Sequence, residues 1–495
     1  MNIDWHGFAP ELILTGTLLV VLLVDLVIPR RARWTLAGIA AVGLLATLIP
    51  ILTLAVEGPI RSMFAGSFVV DDFALVMKGL FVVAGYVVLL ISFNTIEEGA
   101  YHRGEFYFLL LASILGMFLV ASARDLIVLI IAFELFSAPG YMLAAWNKRN
   151  RKSNEAGMKY FVLGALSTAI LLYGLTLIYG SVGSTNFEVI GASLGAVFEG
   201  GAASMVTLGI VLILVGFGFK ISAVPFHLWA PDVYEGAPTP VTAFFSVSVK
   251  AAGFVGLLLL VFIAFNETGE IWRPLLWALS AVTMTVGNVI ALRQTNVVRL
   301  LAYSSIAQSG YVIAPLAVVG ISPEVSQQAI QAIVLYLLIY AVMNLGAFAI
   351  VISVARRTKS GSLDSYNGLF KTMPIHAVIM AFFLASLTGI PPFAGWLGKL
   401  AVFSSLAAAG GWYGYTLAVI VVLNAVIGGF VYMRLVRRMF FEQPEEQYAN
   451  LLKPGEAETP PAPLAAALGG LAVLVVAAGI FPILTYFSNV ATIAL

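Results

Sequence analysis

The chain has no cysteine, and only 10% of its 495 residues are charged. The missing thiols exclude thiol catalysis, disulfides and cysteine-ligated iron–sulfur clusters. Its four histidines are too scattered in sequence to suggest a zinc or haem site. No Walker loop, no GxGxxG opening a helix after a strand and no HExxH occurs, so nucleotide and metal-hydrolase chemistry have no motif to rest on. The formal net charge is +1, and nothing in it suggests a nucleic-acid partner. A soluble domain carries roughly 25% charged residues. Here 61% of residues are hydrophobic and the mean hydropathy is +1.00, the composition of an integral membrane protein.

What is present is a succession of apolar runs. Taking about 20 apolar residues as one crossing, the sequence predicts fourteen spans, at 9–29, 34–56, 72–94, 105–122, 125–146, 155–179, 202–226, 238–265, 272–292, 297–319, 325–355, 374–409, 413–440 and 463–489. The first run, ELILTGTLLVVLLVDLVIP, has no Lys or Arg before it and RRAR after it, the reverse of a cleaved signal peptide. Alternate loops collect the positive charge: RRAR at 30–33, HR at 102–103, NKRNRK at 147–152, RQTNVVR at 293–299, the stretch 356–371, and RLVRR at 434–438 with Lys453. Arg61, Arg124 and Arg273 alone fall on the opposite side. The positive-inside rule then puts both termini on the non-cytoplasmic side.

Two spans are not plain helices. One is broken by Pro225 and followed by APDVYEGAPTP; the other, 374–409, is too long for one crossing and carries GIPPFAGW, with Pro391 and Pro392, at its middle. If 105–265 and 266–440 each form a block of five spans, the broken span is fourth in both. Five crossings are an odd number, so two tandem blocks sit in opposite orientations. The expected fold is therefore an all-α polytopic membrane protein of about fourteen helices with two inverted five-helix repeats, each with an interrupted helix on the transport path. Residues 1–104 form an N-terminal three-helix segment and 441–495 a loop and a C-terminal helix.

Five lysines, Lys78, Lys159, Lys220, Lys250 and Lys399, fall within spans. Glu134 lies roughly 15 Å into the fifth, near the midplane. Each such charge costs about 2.5–3.5 kcal/mol even on the lenient insertion scale, so several of them need a reason. A buried Glu–Lys pair is a tunable proton site, because the carboxylate decides whether the lysine keeps its proton. Lys78 lies near a span end, where snorkelling to the headgroups accounts for it. For Lys159, which follows a basic loop, snorkelling and a place on the path are both open. Lys399 sits just past the GIPP break, within reach of freed carbonyls. His227 either caps the kinked helix or relays protons. Asp25 is placed to pair with the arginines of RRAR, and Trp229 and Trp396 to pack or anchor.

Three stretches, KISAVPFHLWAPDVYEGAPTPVTAFFSVSVKAAGF, RLLAYSSIAQSGY and GLFKTMPIHAVIMAFFLASLTGIPPFAGWLGKLAVF, resemble the antiporter-like subunits of complex I, the proton-pumping NADH:quinone oxidoreductase. The resemblance covers most of the chain. The absence of a long lateral helix and the lysine at 399 favour the subunit N branch over subunits L and M. The resemblance implies that Glu134 and Lys220 gate the cytoplasmic half-channel, Lys250 is the central relay and Lys399 faces the exit. It also implies that His227 is the family's histidine after the broken helix. Many relatives carry a histidine where this chain has Gln308, and an amide cannot pass on a proton as imidazole does. A relay there would use water held by Gln308 with Tyr303 or Ser305. The resemblance further implies no cofactor in this chain, with FMN, iron–sulfur clusters and quinone in partner subunits. The expected partners are neighbouring membrane subunits and the lipid bilayer, with no soluble small-molecule substrate, and the expected location is a bacterial inner membrane. Two rival readings stay open: a subunit of a multi-subunit cation/proton antiporter, and a scaffold whose buried charges lock helices together.

Overall fold

In a computed structural model, residues 4–29, 32, 34–97, 103–449 and 460–494 are described. The N-terminal unit comprises α1 (Ala9–Val27), α2 (Trp34–Ala46), α3 (Leu48–Glu57), an antiparallel hairpin of β1 (Arg61–Met63) and β2 (Phe68–Val70), and α4 (Asp72–Glu97). Next come α5 (Arg103–Ser122), α6 (Leu126–Ala144), α7 (Arg151–Val182), α8 (Phe187–Val197), α9 (Ala203–Lys220), α10 (Trp229–Gly236), α11 (Thr239–Phe244) and α12 (Lys250–Leu259). They are followed by α13 (Gly269–Ala291), α14 (Val297–Leu316), α15 (Pro323–Thr358), α16 (Leu369–Thr372), α17 (Pro374–Thr388), α18 (Gly395–Ala409) and α19 (Gly411–Phe441). The chain closes with α20 (Glu446–Ala449), α21 (Ala462–Ile480) and α22 (Ile483–Val490).

Among the described residues, twelve helices or joined helices are long and apolar enough to cross a membrane. Helices α4, α12, α14 and α15 are apolar almost all round and buried in the interior. Helix α4 packs against α5, α11, α15 and α21, which places the N-terminal unit within the bundle.

Several boundaries differ from the sequence reading. The fold is not purely α, because the chain between α3 and α4 pairs as the 61–70 hairpin. The seventh helical stretch begins at Phe187, capped by the Asn186 side chain, and ends at Lys220 rather than running from 202 to 226. Its early turns carry Glu188 and Glu199, which lower the hydropathy there. Gly201 kinks it with φ of 106°, a conformation open to glycine. It stops short of Pro225 because a proline has no N–H to donate and disfavours a helical residue before it. The stretch 463–489 is divided at Pro482 into α21 and α22, and 374–409 into α17 and α18. Arg30, Arg31, Arg33, His102 and Lys453, counted in the charge asymmetry, lie outside the described residues.

Two loop pairings recur. Before α6 and α8, Leu126 N–H donates to Thr185 O at 2.8 Å and Phe187 N–H to Arg124 O at 2.9 Å. Before α14 and the turn at 363–366, Val297 N–H donates to Gly361 O at 2.9 Å and Leu363 N–H to Thr295 O at 2.8 Å. In both, a side chain caps the helix that follows: Asp125 accepts from Ile127 and Val128 N–H, and Asn296 from Val298 and Arg299 N–H.

Candidate functional site

The site grows from α6. Glu134, Ser137 and Tyr141 lie at helical spacing on one side of α6, near Pro139. Lys220, the last residue of α9, is 1% exposed and donates to Ser137 Oγ at 2.6 Å. Its ammonium lies 5.8, 5.5 and 6.0 Å from the ring centres of Phe133, Phe136 and Tyr141, a partial compensation for lost water. Glu134 accepts from Thr168 Oγ1 of α7 at 2.8 Å. Glu134 and Lys220 therefore form no direct ion pair: Ser137, one turn from the carboxylate, takes the lysine instead. The sequence reading missed Ser137 and Thr168; their one local signal is a hydroxyl within an apolar span.

Directly after Lys220 the backbone opens. Ser222 adopts φ of 57°, uncommon for a non-glycine residue, and its buried hydroxyl has no protein partner. The break is held by Val224 N–H donating to Thr283 Oγ1 at 3.0 Å and by Trp229 Nε1 donating to Phe219 O at 3.0 Å. Trp229 also stacks on Tyr160 at 4.7 Å, the packing role expected of it. His227 is buried, with the half-buried Tyr303 ring 6.5 Å away.

Lys250 follows a π-helical turn, Phe245–Val249, a wide turn often found at functional positions. It is 2% exposed and donates to Ser305 O at 3.0 Å, Ser305 Oγ at 2.7 Å and Ser309 Oγ at 3.3 Å, all on α14. One turn on, a Cβ at Gly253 would stand 3.4 Å from Lys220 Cβ and 3.0 Å from Ile221, so glycine lets α12 approach the break closely.

Gln308, on α14, is held at both ends. Its Nε2 donates to Tyr432 Oη of α19 at 2.9 Å, and Tyr336 Oη of α15 donates to its Oε1. Ser304 Oγ and Tyr432 Oη are 2.6 Å apart. Neither Tyr303 nor Ser305 is among these partners of Gln308; Ser305 bonds Lys250, and Tyr303 lies beside His227. Lys399 donates to Leu387 O at 2.9 Å and Thr388 O at 2.8 Å, the freed carbonyls at the end of α17, where the helix dipole favours a cation. Its ammonium lies 4.8 Å from the Tyr311 ring.

The other two lysines part ways. Lys78 does not snorkel: it is fully buried and pairs with Glu11 of α1 at 2.8 Å, both side chains at most 2% exposed. Lys159 is 40% exposed and joins a surface network in which Glu155 and Asp232 each lie 2.7 Å from it. Arg299 of α14 completes the network, 2.8 Å from Asp232 and 3.1 Å from Glu235. Among the described residues, no group of His, Cys, Asp and Glu could hold a metal ion.

Comparison with known proteins gives the family of the chain. Residues 123–428 match the family described as NADH:quinone oxidoreductase/Mrp antiporter, TM. NADH-quinone oxidoreductase subunit N of Trichlorobacter lovleyi is 41% identical over 90% of each chain. A chain of respiratory complex I from Thermus thermophilus superposes with a TM-score of 0.76 and 32% identity, covering 96% of this chain and 97% of that one. A chain of the Mrp complex from Dietzia sp. shares the fold, with a TM-score of 0.83 at 21% identity over 99% and 97% of the two chains. By the extent of these matches, the chain belongs to the NADH:quinone oxidoreductase/Mrp antiporter transmembrane family, in its NADH-quinone oxidoreductase subunit N branch.

Proposed function

We propose that this chain is a non-redox, proton-translocating membrane subunit of an NADH:quinone oxidoreductase, in which electron transfer in partner subunits drives protons through it. The observation that carries this reading is the set of three ammonium groups, Lys220, Lys250 and Lys399, buried or half-buried in the bundle of a chain that belongs to this family. Lone buried cations are costly in a membrane and mark ion paths. Each here donates hydrogen bonds to hydroxyls or carbonyls, which hold it without neutralising it and leave the charge adjustable.

The path begins at Glu134, held by Thr168, and Lys220, held by Ser137, and passes the opened backbone at Pro225 and His227. Lys250 is its centre, and Gln308 and the break at Pro391 and Pro392 lead on to Lys399. Irregular backbone at membrane depth is tolerated where it is buried in protein or lines a watery cavity, which suits both breaks. Lys159 and its surface network stand at the mouth. Tyr303 stays a candidate only through its nearness to His227.

The recurring loop pairings and the two breaks support two inverted repeats, 105–265 and 266–440. Adding α14 and the α17–α18 pair to the twelve long spans makes fourteen crossings. The three-helix unit 1–104 and the tail 441–495 flank them. The location that follows is a bacterial inner membrane with both termini on the non-cytoplasmic side. Neighbouring membrane subunits adjoin the chain, and flavin, iron–sulfur clusters and quinone reside in partners.

The test is NADH-driven proton uptake into inverted vesicles, with quinone reduction followed in parallel, for Lys220→Ala. Pumping should fall roughly a hundredfold with assembly intact, the lower range for a removed acid–base group; unchanged pumping would make the lysine structural. The second reading, a cation/proton antiporter subunit, is favoured by the Mrp-like fold. Failure of a deletion strain at high sodium and alkaline pH, with NADH-driven pumping intact, would establish it instead.

A further inference from the structure

The side of the membrane that the charge asymmetry leaves poor in cations carries three arginines, Arg61, Arg124 and Arg273. Two of them are neutralised within the chain: Arg61 pairs with Asp4 and Glu57, and Arg124 with Asp71. Arg273 is held differently. Its Nε donates to Val319 O at 2.9 Å and its Nη2 to Gly320 O at 2.6 Å. Among the described residues Nη1 has no acceptor and no carboxylate pairs with the guanidinium, the exposed Glu267 and Glu270 included.

The guanidinium sits in a fitted place. A Cβ at Gly269 would stand 2.3 Å from its Cζ and one at Gly320 2.6 Å from its Nη2, so both glycines leave the space that the group fills. The Trp272 ring lies 5.3 Å from Cζ. Neutral carbonyls do not cancel a positive charge, and a guanidinium does not lose its proton in proteins. Half-buried and with one nitrogen unused, Arg273 keeps its full charge for an anion.

Its depth and its neighbours say which anion. Arg273 stands in the first turns of α13, at one end of a long apolar span, and α19 starts beside it at Gly411. Trp277, one turn on, donates its Nε1 to Tyr413 O at 3.0 Å, and its ring lies 6.1 Å from that of Trp412. Tyr413 Oη donates to Ala317 O at 3.4 Å, on the same loop whose carbonyls hold Arg273. Trp412 is 72% exposed. Tryptophan and tyrosine collect at the level where the lipid headgroups begin. Further along α19, Val419, Leu423, Val426 and Phe430 are exposed at spacings of three and four residues, one apolar stripe running into the membrane.

We propose that Arg273 holds the phosphate of an anionic phospholipid of the non-cytoplasmic leaflet, with Trp277 and Trp412 beside the headgroup and the α19 stripe against an acyl chain. Charge complementarity at headgroup depth decides the occupant, because the arginine fork matches phosphate oxygens. A headgroup that carries its own ammonium already pairs its phosphate charge, so one of net negative charge gains more from Arg273. The site is separate from the proton path and requires only that the chain spans the membrane.

The experiment places the purified whole complex in phosphatidylcholine nanodiscs containing a small fraction of photoactivatable phosphatidylglycerol. Cross-linked lipid is mapped by mass spectrometry on peptides spanning 269–277 and 411–419. Labelling of these peptides is expected to fall roughly tenfold in Arg273→Gln, the scale on which one hydrogen bond to a charged group acts. It should stay within about twofold in Arg273→Lys, which keeps the charge without the fork. Added unlabelled phosphatidylglycerol should compete, and added phosphatidylethanolamine should not. Equal labelling in Arg273→Gln overturns the site, and so does equal competition by the two lipids. Cross-linking of these peptides to a neighbouring subunit in place of lipid also overturns it, by giving the surface a protein occupant. Should Arg273→Gln fail to assemble, the competition in the unmodified complex decides by itself, since it needs no variant.

Discussion

At the scale of single residues, the interior lysines differ by what receives their protons. Lys220 rests on one hydroxyl, Lys250 on two hydroxyls and a carbonyl, and Lys399 on two carbonyls. Lys78 alone has a carboxylate. That difference separates adjustable charge from fixed charge. Ser137→Ala removes the hydroxyl that accepts from Lys220; a hydrogen bond to a charged group is worth about 1.5–3 kcal/mol. Vesicle uptake should drop roughly tenfold or more with the subunit still assembled. Glu11 and Lys78 should behave in the opposite way. Removing one partner of a buried pair costs about 3–5 kcal/mol, whereas an apolar replacement of both is often neutral. Glu11→Gln should lower the amount of assembled complex on native gels, and Glu11→Leu with Lys78→Met should recover it with pumping retained. If the double replacement assembles but does not pump, the pair belongs to the proton path.

At the scale of elements, breaks and clamps matter more than helix propensity. Proline and the residues before it end α9 and α17, and the exposed backbone is then tied down across the bundle, as Val224 is to Thr283 on α13. On the loop side, Asp364 is clamped by Arg438 of α19. The Arg438 hydrogen bond, aided by Ser362 and the charge of Arg434, holds the Asp364 carboxyl below the usual carboxylate range. A depressed acid stabilises the fold above its unfolded value, about 3.9, and loses that contribution as pH falls through the lower folded value. With the Asp364 side chain 47% exposed, the clamp is worth about 0–1 kcal/mol. Arg438→Gln should therefore expose the 356–373 loop slightly more to protease at pH 7, with the difference from the unmodified chain shrinking as the pH falls below the usual carboxylate range. A difference that does not shrink as the pH is lowered would mean the clamp works by packing alone.

At the scale of the whole molecule, the absence of cysteine is an experimental asset. Ser62→Cys on the hairpin and Lys148→Cys in the basic loop place single thiols at exposed positions. In the proposed orientation a membrane-impermeant maleimide labels Ser62→Cys in intact, outer-membrane-permeabilised cells and Lys148→Cys in inverted vesicles. Labelling of both from one side would overturn the crossing pattern on which the inverted repeats depend.

Much of this molecule was legible in its sequence because the controlling physics is local. Hydropathy located the long helices, proline located both breaks, and the cost of burying charge singled out Glu134, Lys220, Lys250 and Lys399 as residues needing a reason. The contacts were not legible. Lys220 and Ser137 are 83 residues apart, and Gln308 and Tyr432 are 124. Which hydroxyl meets which ammonium depends on how helices pack, and an apolar span reads the same whichever side faces its neighbour. For that reason the sequence could not show that Lys220 donates to Ser137 or that Glu134 accepts from Thr168, and it led to a snorkelling Lys78 where Glu11 closes over it. By itself the sequence determined a membrane-spanning, thiol-free chain with costly interior charges and two interrupted helices. Tertiary structure alone decided the partner of each charge, because a buried polar group is satisfied by whatever the packing brings within hydrogen-bond reach.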